Sequence, residues 1–213
     1  MALAFNKAKG SAIKNTYDRY EYKMGDNKVR LVGGILPRYV YWVEGTNGKR
    51  LPLECLAFNR ETEVFDNKEH DEVAARYPDL KCGWAYAILC IDPGDGKVKV
   101  LDLKKKLLEQ IMVAAEDLGD PTDVEKGYWV HFKKVKTGPS AFNVEYQLQP
   151  LKCKPEPLTD AQKKAIKESP TIDEIVKRAT PADQKAFLDK IEASRDQDAD
   201  EMDSETESEF DVE

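Results

Sequence analysis

A small, partly open antiparallel β-barrel with helices appended behind it is the fold class this sequence predicts. Three observations carry the prediction. From Val29 to Gln149, runs rich in β-branched and aromatic residues alternate with Gly, Pro, Asn and Asp turn signals. A single long amphipathic stretch interrupts those runs. After Leu158, three short segments carry helix-start signatures instead of strand patterns.

Val29–Leu36 is apolar and β-rich, and Gly33-Gly34 within it predicts a bulge or bend. Tyr39–Val43 reads as a strand, followed by the hairpin signal Gly45-Thr-Asn-Gly48 and a return through Leu51–Phe58. The polar run Asn67–Tyr77 predicts a loop with a short helix. Trp84–Ile91 is a buried strand, turned by Asp92-Pro-Gly-Asp-Gly96 into Lys97–Leu101. Leu103, Leu107, Ile111, Ala115 and Leu118 then mark one face of a helix that Gly119 and Pro121 end. A final hairpin pairs Tyr128–Lys136 with Phe142–Leu148 around Thr137-Gly-Pro-Ser140. About six strands in hairpins with one inserted helix fit an oligonucleotide-binding (OB) fold, a five- to six-stranded antiparallel barrel.

The divisions follow: a basic arm over 1–24, the barrel over 25–158, a helical segment over 159–192 packed on it, and an acidic tail over 193–213. In the helical segment, Thr159-x-x-Gln162 and Thr171-x-x-Glu174 have capping-box form, and Thr180-Pro181 pairs an N-cap with proline at the first helical position. Ile166, Ile172, Ile175, Val176, Phe187, Leu188 and Ile191 are expected to point inward. No apolar run approaches the about 18 residues of a membrane span, and the N-terminus is too weakly apolar for a signal peptide. Cys55, Cys82, Cys90 and Cys153 show no paired spacing, which predicts reduced thiols and a cytoplasmic setting.

Charge is unevenly placed. The chain holds 33 basic and 40 acidic side chains, but its last eighteen residues contain ten Asp or Glu and no Lys or Arg. Such a segment buries too little apolar surface to offset its ordering entropy, so disorder is expected. Residues 1–195 alone sum to +3, and residues 1–50 hold ten basic against four acidic side chains. A basic body with an anionic tether fits a protein that binds polyanions and carries its own competitor; on the tail alone, a solubilising role is the preferred reading.

Aromatics interleaved with cations are the main functional signal. The candidate rings are Tyr39, Tyr41, Trp42, Trp84, Tyr86, Trp129, Phe142 and Tyr146. Among these, Trp42, Trp84, Tyr86, Trp129, Phe142 and Tyr146 are the stacking candidates. The candidate phosphate contacts are Arg30, Arg38, Lys49, Arg50, Lys97, Lys99, Lys104, Lys105, Lys106, His131, Lys133, Lys134 and Lys136. Exposed rings stack any base and cations follow the backbone, a combination that suits single strands rather than duplex. Strand parity puts Tyr128, Val130 and Phe132 on one face and Trp129, His131 and Lys133 on the other, so an inward Val130 predicts an exposed Trp129. Phe210 and Val212 are candidate apolar anchors for a partner of the tail. His70, Cys82 and Cys90 lack metal-ligand spacing, and Asp92, Asp95 and Asp102 read as turn and edge residues. No phosphate loop or nucleophile elbow is present, so no catalytic residue, metal or cofactor is expected.

Several strings, in order, resemble the single-stranded-DNA-binding, helix-destabilising proteins of T-even bacteriophages. They are Val29-Arg-Leu31 with Ile35-Leu-Pro37, Gly48–Cys55, Trp84–Pro93, Lys97–Val100 leading to Lys104–Ile111, Pro121-Thr-Asp123, Gly127, Phe132-Lys133, and the Gly138–Tyr146 hairpin. The helical segment and the acidic end continue the likeness. The resemblance implies sequence-nonspecific binding of single-stranded DNA in phage replication, recombination and repair, inside an infected bacterium. It also implies recruitment of a polymerase, helicase or primase, or recombinase through the tail, and self-association along DNA. Two features depart from that family. Its C-x-x-C zinc insertion has no counterpart between Asn59 and Cys82, and its basic N-terminal motif is only loosely echoed by Lys7–Ser11 and Lys14–Thr16. Two other readings compete: an acidic-tailed protein-interaction or DNA-mimic protein on a scaffold barrel, and an enzyme acting on nucleic acid.

Overall fold

The computed structural model describes residues 17–45, 50–140 and 143–208, with side chains as far as 194. Six strands form one open sheet: β1 (Gly25–Glu44), β2 (Arg50–Glu54), β3 (Gly83–Ile91), β4 (Val98–Leu103), β5 (Trp129–Lys136) and β6 (Val144–Leu148). Their order is β4-β3-β1-β5-β6, with β2 paired to β1. The α-helices are α1 (Glu72–Arg76), α2 (Lys105–Leu118), α3 (Asp160–Glu168), α4 (Ile172–Ile175) and α5 (Pro181–Ser208). This mainly β, antiparallel arrangement is OB-like. The two strands expected over Val29–Val43 are one strand, because Gly33, at φ 71°, bends the chain without breaking the extended backbone on either side.

The chain divides into two compact units. The first comprises Met1–Gly34, Ile88–Asp102 and Lys106–Val176; the second comprises Ile35–Ala87, Leu103–Lys105 and Lys177–Glu213. The expected helical segment 159–192 is therefore shared out, with α3 and α4 in the first unit and α5 in the second.

In the first unit, β1 pairs β5 from Gly25↔Lys134 to Arg30↔Trp129, and β5 pairs β6 from Phe132↔Leu148 to Lys136↔Val144. Tyr128, Val130 and Phe132 are all at most 1% exposed, as strand parity predicts. Leu107, Leu108 and Ile111 form the buried stripe of α2, which ends at Gly119 in the left-handed conformation (φ 81°). Gln110 on α2 pins the sheet edge, donating to the Tyr146 carbonyl at 2.9 Å and accepting from the Leu148 amide at 2.8 Å. Both expected capping boxes are present, at Thr159/Gln162 and Thr171/Glu174.

The opposite face of β5 differs from expectation. Trp129 is only 7% exposed, with the Lys28 ammonium 4.6 Å from its ring centroid. Parity places it on the second face, but that face is covered here, so Trp129 is not an exposed platform. Arg30 is fully buried and donates to the Asp123 carbonyl at 2.7 Å. It braces the turn after α2, where a Cβ on Gly127 would stand 2.8 Å from its guanidinium. Arg30 is thus structural rather than a phosphate contact.

The second unit packs Tyr41, Val43, Cys55, Phe58, Val73, Leu188 and Ile191 into one core. Tyr41, 6% exposed with its hydroxyl on the Cys55 sulfur, is a core residue and not a stacking ring. Asp71 caps α1, its carboxylate accepting from the Val73 and Ala74 amides at 3.0 Å and from the Leu56 amide at 2.7 Å. Gln184 on α5, 1% exposed, accepts from the Glu72 amide and donates to the Glu54 carbonyl. Phe187, by contrast, faces outward at 38% exposure, because Gln184, Leu188 and Ile191 occupy the i, i+4, i+7 stripe. The backbone of α5 continues to Ser208, into the segment where composition predicts disorder. Propagation from a packed first turn needs no new nucleus, which is the physical reason a helix can run on there. Residues 1–16, most of the basic arm, lie outside the described residues, as do 209–213.

Two outcomes test this packing. Asp71→Ala strands the Leu56 amide in the core and is expected to cost about 1–3 kcal/mol of stability by chemical denaturation; a neutral effect removes the clamp assigned to it. His131, half-buried on the same face of β5 as Trp129, is held below the usual imidazole value by burial, then by Lys28 and Lys152, with Asp26 opposing. The fold therefore favours neutral His131, and its contribution is lost as pH falls from about 6.5 through the depressed folded value. His131→Gln should flatten the stability curve across that window relative to wild type; parallel curves for the two proteins refute the assignment.

Candidate nucleic-acid interface

A contiguous group of aromatic rings marks the second unit. Strand β1 contributes Tyr39, β3 contributes Trp84 and Tyr86, and the segment after β2 contributes Phe58 and Phe65. Tyr39 lies at the centre, its ring centroid 4.4 Å from Trp84, 4.9 Å from Phe65 and 5.1 Å from Phe58. Trp84 and Tyr86, two residues apart on one strand face, are parallel within 4° at 5.5 Å. Phe58 is completely buried and anchors the group, whereas Phe65 is 55% exposed. Tyr39, Trp84 and Tyr86 are half-buried. Rings held edge to face on one side and open on the other form a surface a base can stack upon with little reordering.

Phe65 and Phe58 were not among the sequence candidates. The apolar pair Val64-Phe65 inside the acidic run Glu61–Asp66 was the available signal, and the structure leaves both residues exposed. A tight turn presents them: the Asn59 amide donates to the Val64 carbonyl at 2.8 Å, the Asn59 side chain accepts from Glu61, and Glu63 takes a positive φ of 55°.

Trp42 stands apart from this group. Opposite strand parity turns it away from Tyr41 and Val43, and its side chain is 51% exposed. Arg38, Arg50, Lys104 and Lys105 belong to the same unit, and all but the half-buried Arg38 are exposed. Lys49 and Phe142, like Phe210 and Val212, lie outside the described residues.

The remaining candidates fall in the first unit and are not equivalent. Lys99 is held by Asp92 at 2.7 Å and Asp95 at 2.9 Å, which raises its pKa, so it stabilises the β3–β4 turn and is a poor phosphate contact. Tyr146 packs on Tyr22 at 5.0 Å and is half-buried. Lys134 reaches the Tyr22 carbonyl at 3.4 Å. Lys97, Lys106 and Lys136 are exposed, and Lys133 is half-exposed beside His131. Lys28, missed in the sequence because it lies in a polar run before the β-rich segment, joins Lys152 as the positive groups that act on His131. A groove of about 810 Å³ between α2 and β6 is lined by Val113, Ala114, Leu118, Leu148 and Leu151 with Lys106 as its single cation, so it lacks the chemistry of a phosphate track.

Among the described residues, no group of three or more His, Cys, Asp or Glu is placed to hold a metal ion. Cys55, Cys90 and Cys153 are buried, and burial pushes the Cys55 and Cys90 thiols up to about 11 and 12, far from the nucleophilic thiolate range. Among the described residues, no helix is long and apolar enough to cross a membrane.

No protein-family model matches the chain. Over 163 residues it is 32% identical to a protein of Escherichia phage T5 described as a probable ssDNA-binding protein. The match covers 68% of this chain and 60% of that relative, so the aligned region spans three fifths of the relative's length. The similarity is thus to a protein of phage T5, not to the T-even group in particular.

Proposed function

We propose that this chain binds single-stranded DNA without sequence preference, as a coating protein and not as an enzyme. The observation that carries the reading is the open ring surface of Tyr39, Phe65, Trp84 and Tyr86, seated on a buried Phe58. Stacking needs only a π-face, which every base has, so such a surface binds strands of any sequence and rejects duplex, whose bases are already stacked. The phage T5 relative, a probable ssDNA-binding protein, agrees with this chemistry. The biological setting that follows is phage DNA replication, recombination and repair in the cytoplasm of an infected bacterium. There the acidic tail recruits a polymerase, helicase or primase, or recombinase, and neighbouring copies associate along the strand.

The tail also regulates the body in this reading. Its helical root is fixed on the second unit, where Arg76 pairs with Asp189 and Glu192, and Tyr77 donates to Glu192 at 3.4 Å. Where the exposed end of α5 beyond residue 195 frays from its helical form, the eighteen-residue tether reaches about 20–25 Å as a flexible coil, enough to visit cationic surface near its root. Each contact is weak and screened, but tethering keeps the local concentration in the millimolar range.

Titration with poly(dT) should give micromolar or tighter binding and much weaker binding to duplex, with log affinity falling by about 0.7 per neutralised phosphate as log salt rises. Equal affinity for both forms, or no salt dependence, defeats the reading. Phe65→Ala should weaken poly(dT) binding by about 1–3 kcal/mol at nearly unchanged melting temperature, while Trp129→Ala should instead lose about 3–5 kcal/mol of stability. A Phe65 variant that binds normally removes that ring from the surface. Deleting residues 196–213 should raise DNA affinity most at low salt; unchanged affinity there leaves the tail only as a partner tether.

A further inference from the structure

A second concave site lies in the same unit, away from the Tyr39 ring group. Trp42, Val43, Glu44 and Arg50 from the β1–β2 hairpin face Tyr77, Leu80 and Lys81 from the segment after α1, enclosing about 440 Å³. Val43, 3% exposed, and the half-buried Tyr77 and Leu80 make an apolar floor. The exposed indole of Trp42 makes a wall, and Arg50 and Lys81 are exposed beside it. Neither cation forms an ion pair among the described residues, in contrast to Arg60, Arg76, Lys99 and Arg178, which are all paired. Glu44 is the single carboxylate of the lining, so the site keeps a net positive charge.

We infer that this cleft binds one unpaired nucleotide of the strand, its base stacked on Trp42 and its flanking phosphates held by Arg50 and Lys81. The volume lies at the small end of ligand sites and suits one nucleotide; a duplex cannot enter it. The indole supplies a sequence-blind π-face, the floor excludes water from the far side of the base, and two exposed cations on long side chains tolerate a range of backbone paths. An acidic peptide satisfies the cations but leaves the indole and apolar floor without a partner, and a purely apolar peptide does the reverse. A nucleotide uses both. Lys81, Tyr77 and Leu80 lie in a polar, proline-containing stretch with no strand pattern, so only the fold reveals that they complete a site around Trp42.

The inference rests on the single-strand reading, and the two are separable by experiment. Full-length protein is titrated with oligo(dT) of about 16 nucleotides, the upper end of a single OB-fold site, following tryptophan fluorescence and, independently, fluorescence anisotropy of labelled DNA. Trp42→Phe should lose a large part of the quenching while anisotropy still reports binding. Trp42→Ala should weaken binding about 5- to 150-fold, the equivalent of losing one stacked base. Arg50→Ala with Lys81→Ala should shrink the log–log salt slope by about 1.4, two phosphates at about 0.7 each. Thermal melting confirms that the variants are folded, and the double variant, which alters only exposed cations, keeps the test valid if Trp42→Ala is unstable. Wild-type binding together with unchanged affinity, quenching and salt slope in the variants overturns the cleft and leaves the single-strand reading standing. No binding of oligo(dT) by wild type overturns both. Quenching of Trp42 by a synthetic peptide of residues 196–213 but not by oligo(dT) makes the cleft a peptide site and also overturns the inference.

Discussion

Between Glu54 and Gly83 the chain leaves the sheet for nearly thirty residues with only the five-residue α1 as regular structure. Its backbone donors and acceptors therefore lack the ladder partners a strand would supply, and a few buried polar side chains take their place. Asp71 gathers the Leu56, Val73 and Ala74 amides onto one carboxylate. The Leu56 carbonyl accepts from Asn67 and Arg178, the Phe58 carbonyl from Arg178, and Gln184 joins Glu72 to Glu54. Both sides of the candidate interface depend on this clamp. Residues 55–65 carry Phe58 and Phe65 to Tyr39 and Trp84, and residues 77–81 carry Tyr77, Leu80 and Lys81 to Trp42. Without satisfied polar groups inside, the excursion has no reason to hold either set of rings in place.

The hairpins, the inserted helix and both capping boxes were legible because each depends on local chemistry: turn residues, periodicity, and a Thr three residues before Gln or Glu. The clamp was not legible, because Asp71 and Gln184 act across long sequence separations and look like ordinary polar residues in polar runs. The outward orientation of Phe187 had a related cause. Its helix buries a glutamine, so the buried stripe is offset from the one a purely apolar rule selects.

Ring assignment shows the limit of strand parity. Parity placed Tyr128 inside and Trp129 on the other face, and both placements hold. What parity cannot supply is whether that second face is covered, and Lys28 over the indole settles the matter for Trp129. Trp42 has the same parity status on β1, yet opens onto a cleft flanked by cations. Two tryptophans with equal sequence credentials thus divide into one packed ring and one open ring, and the difference comes from neighbours on other elements.

Charge divides in the same way. Arg30, Arg60, Arg76, Arg178 and Lys99 are committed to carbonyls and carboxylates that hold turns, the clamp and α5. Counting them as phosphate contacts would overstate the electrostatic part of binding, since each already serves the fold, and moving Arg60 or Arg178 toward DNA removes a partner from the buried Glu54 carboxylate or from the Leu56 and Phe58 carbonyls. Beside the open Trp42 ring the exposed cations are Arg50 and Lys81. In the proposed single-strand reading, association therefore leans on stacking for its affinity, with phosphate contacts adding reach and salt sensitivity. That balance also suits an acidic competitor on the same chain. A polyacid can match a handful of surface cations but offers nothing to stack on Tyr39, Trp84 or Trp42, so under the proposed function a strand with bases would displace it without any change in the fold.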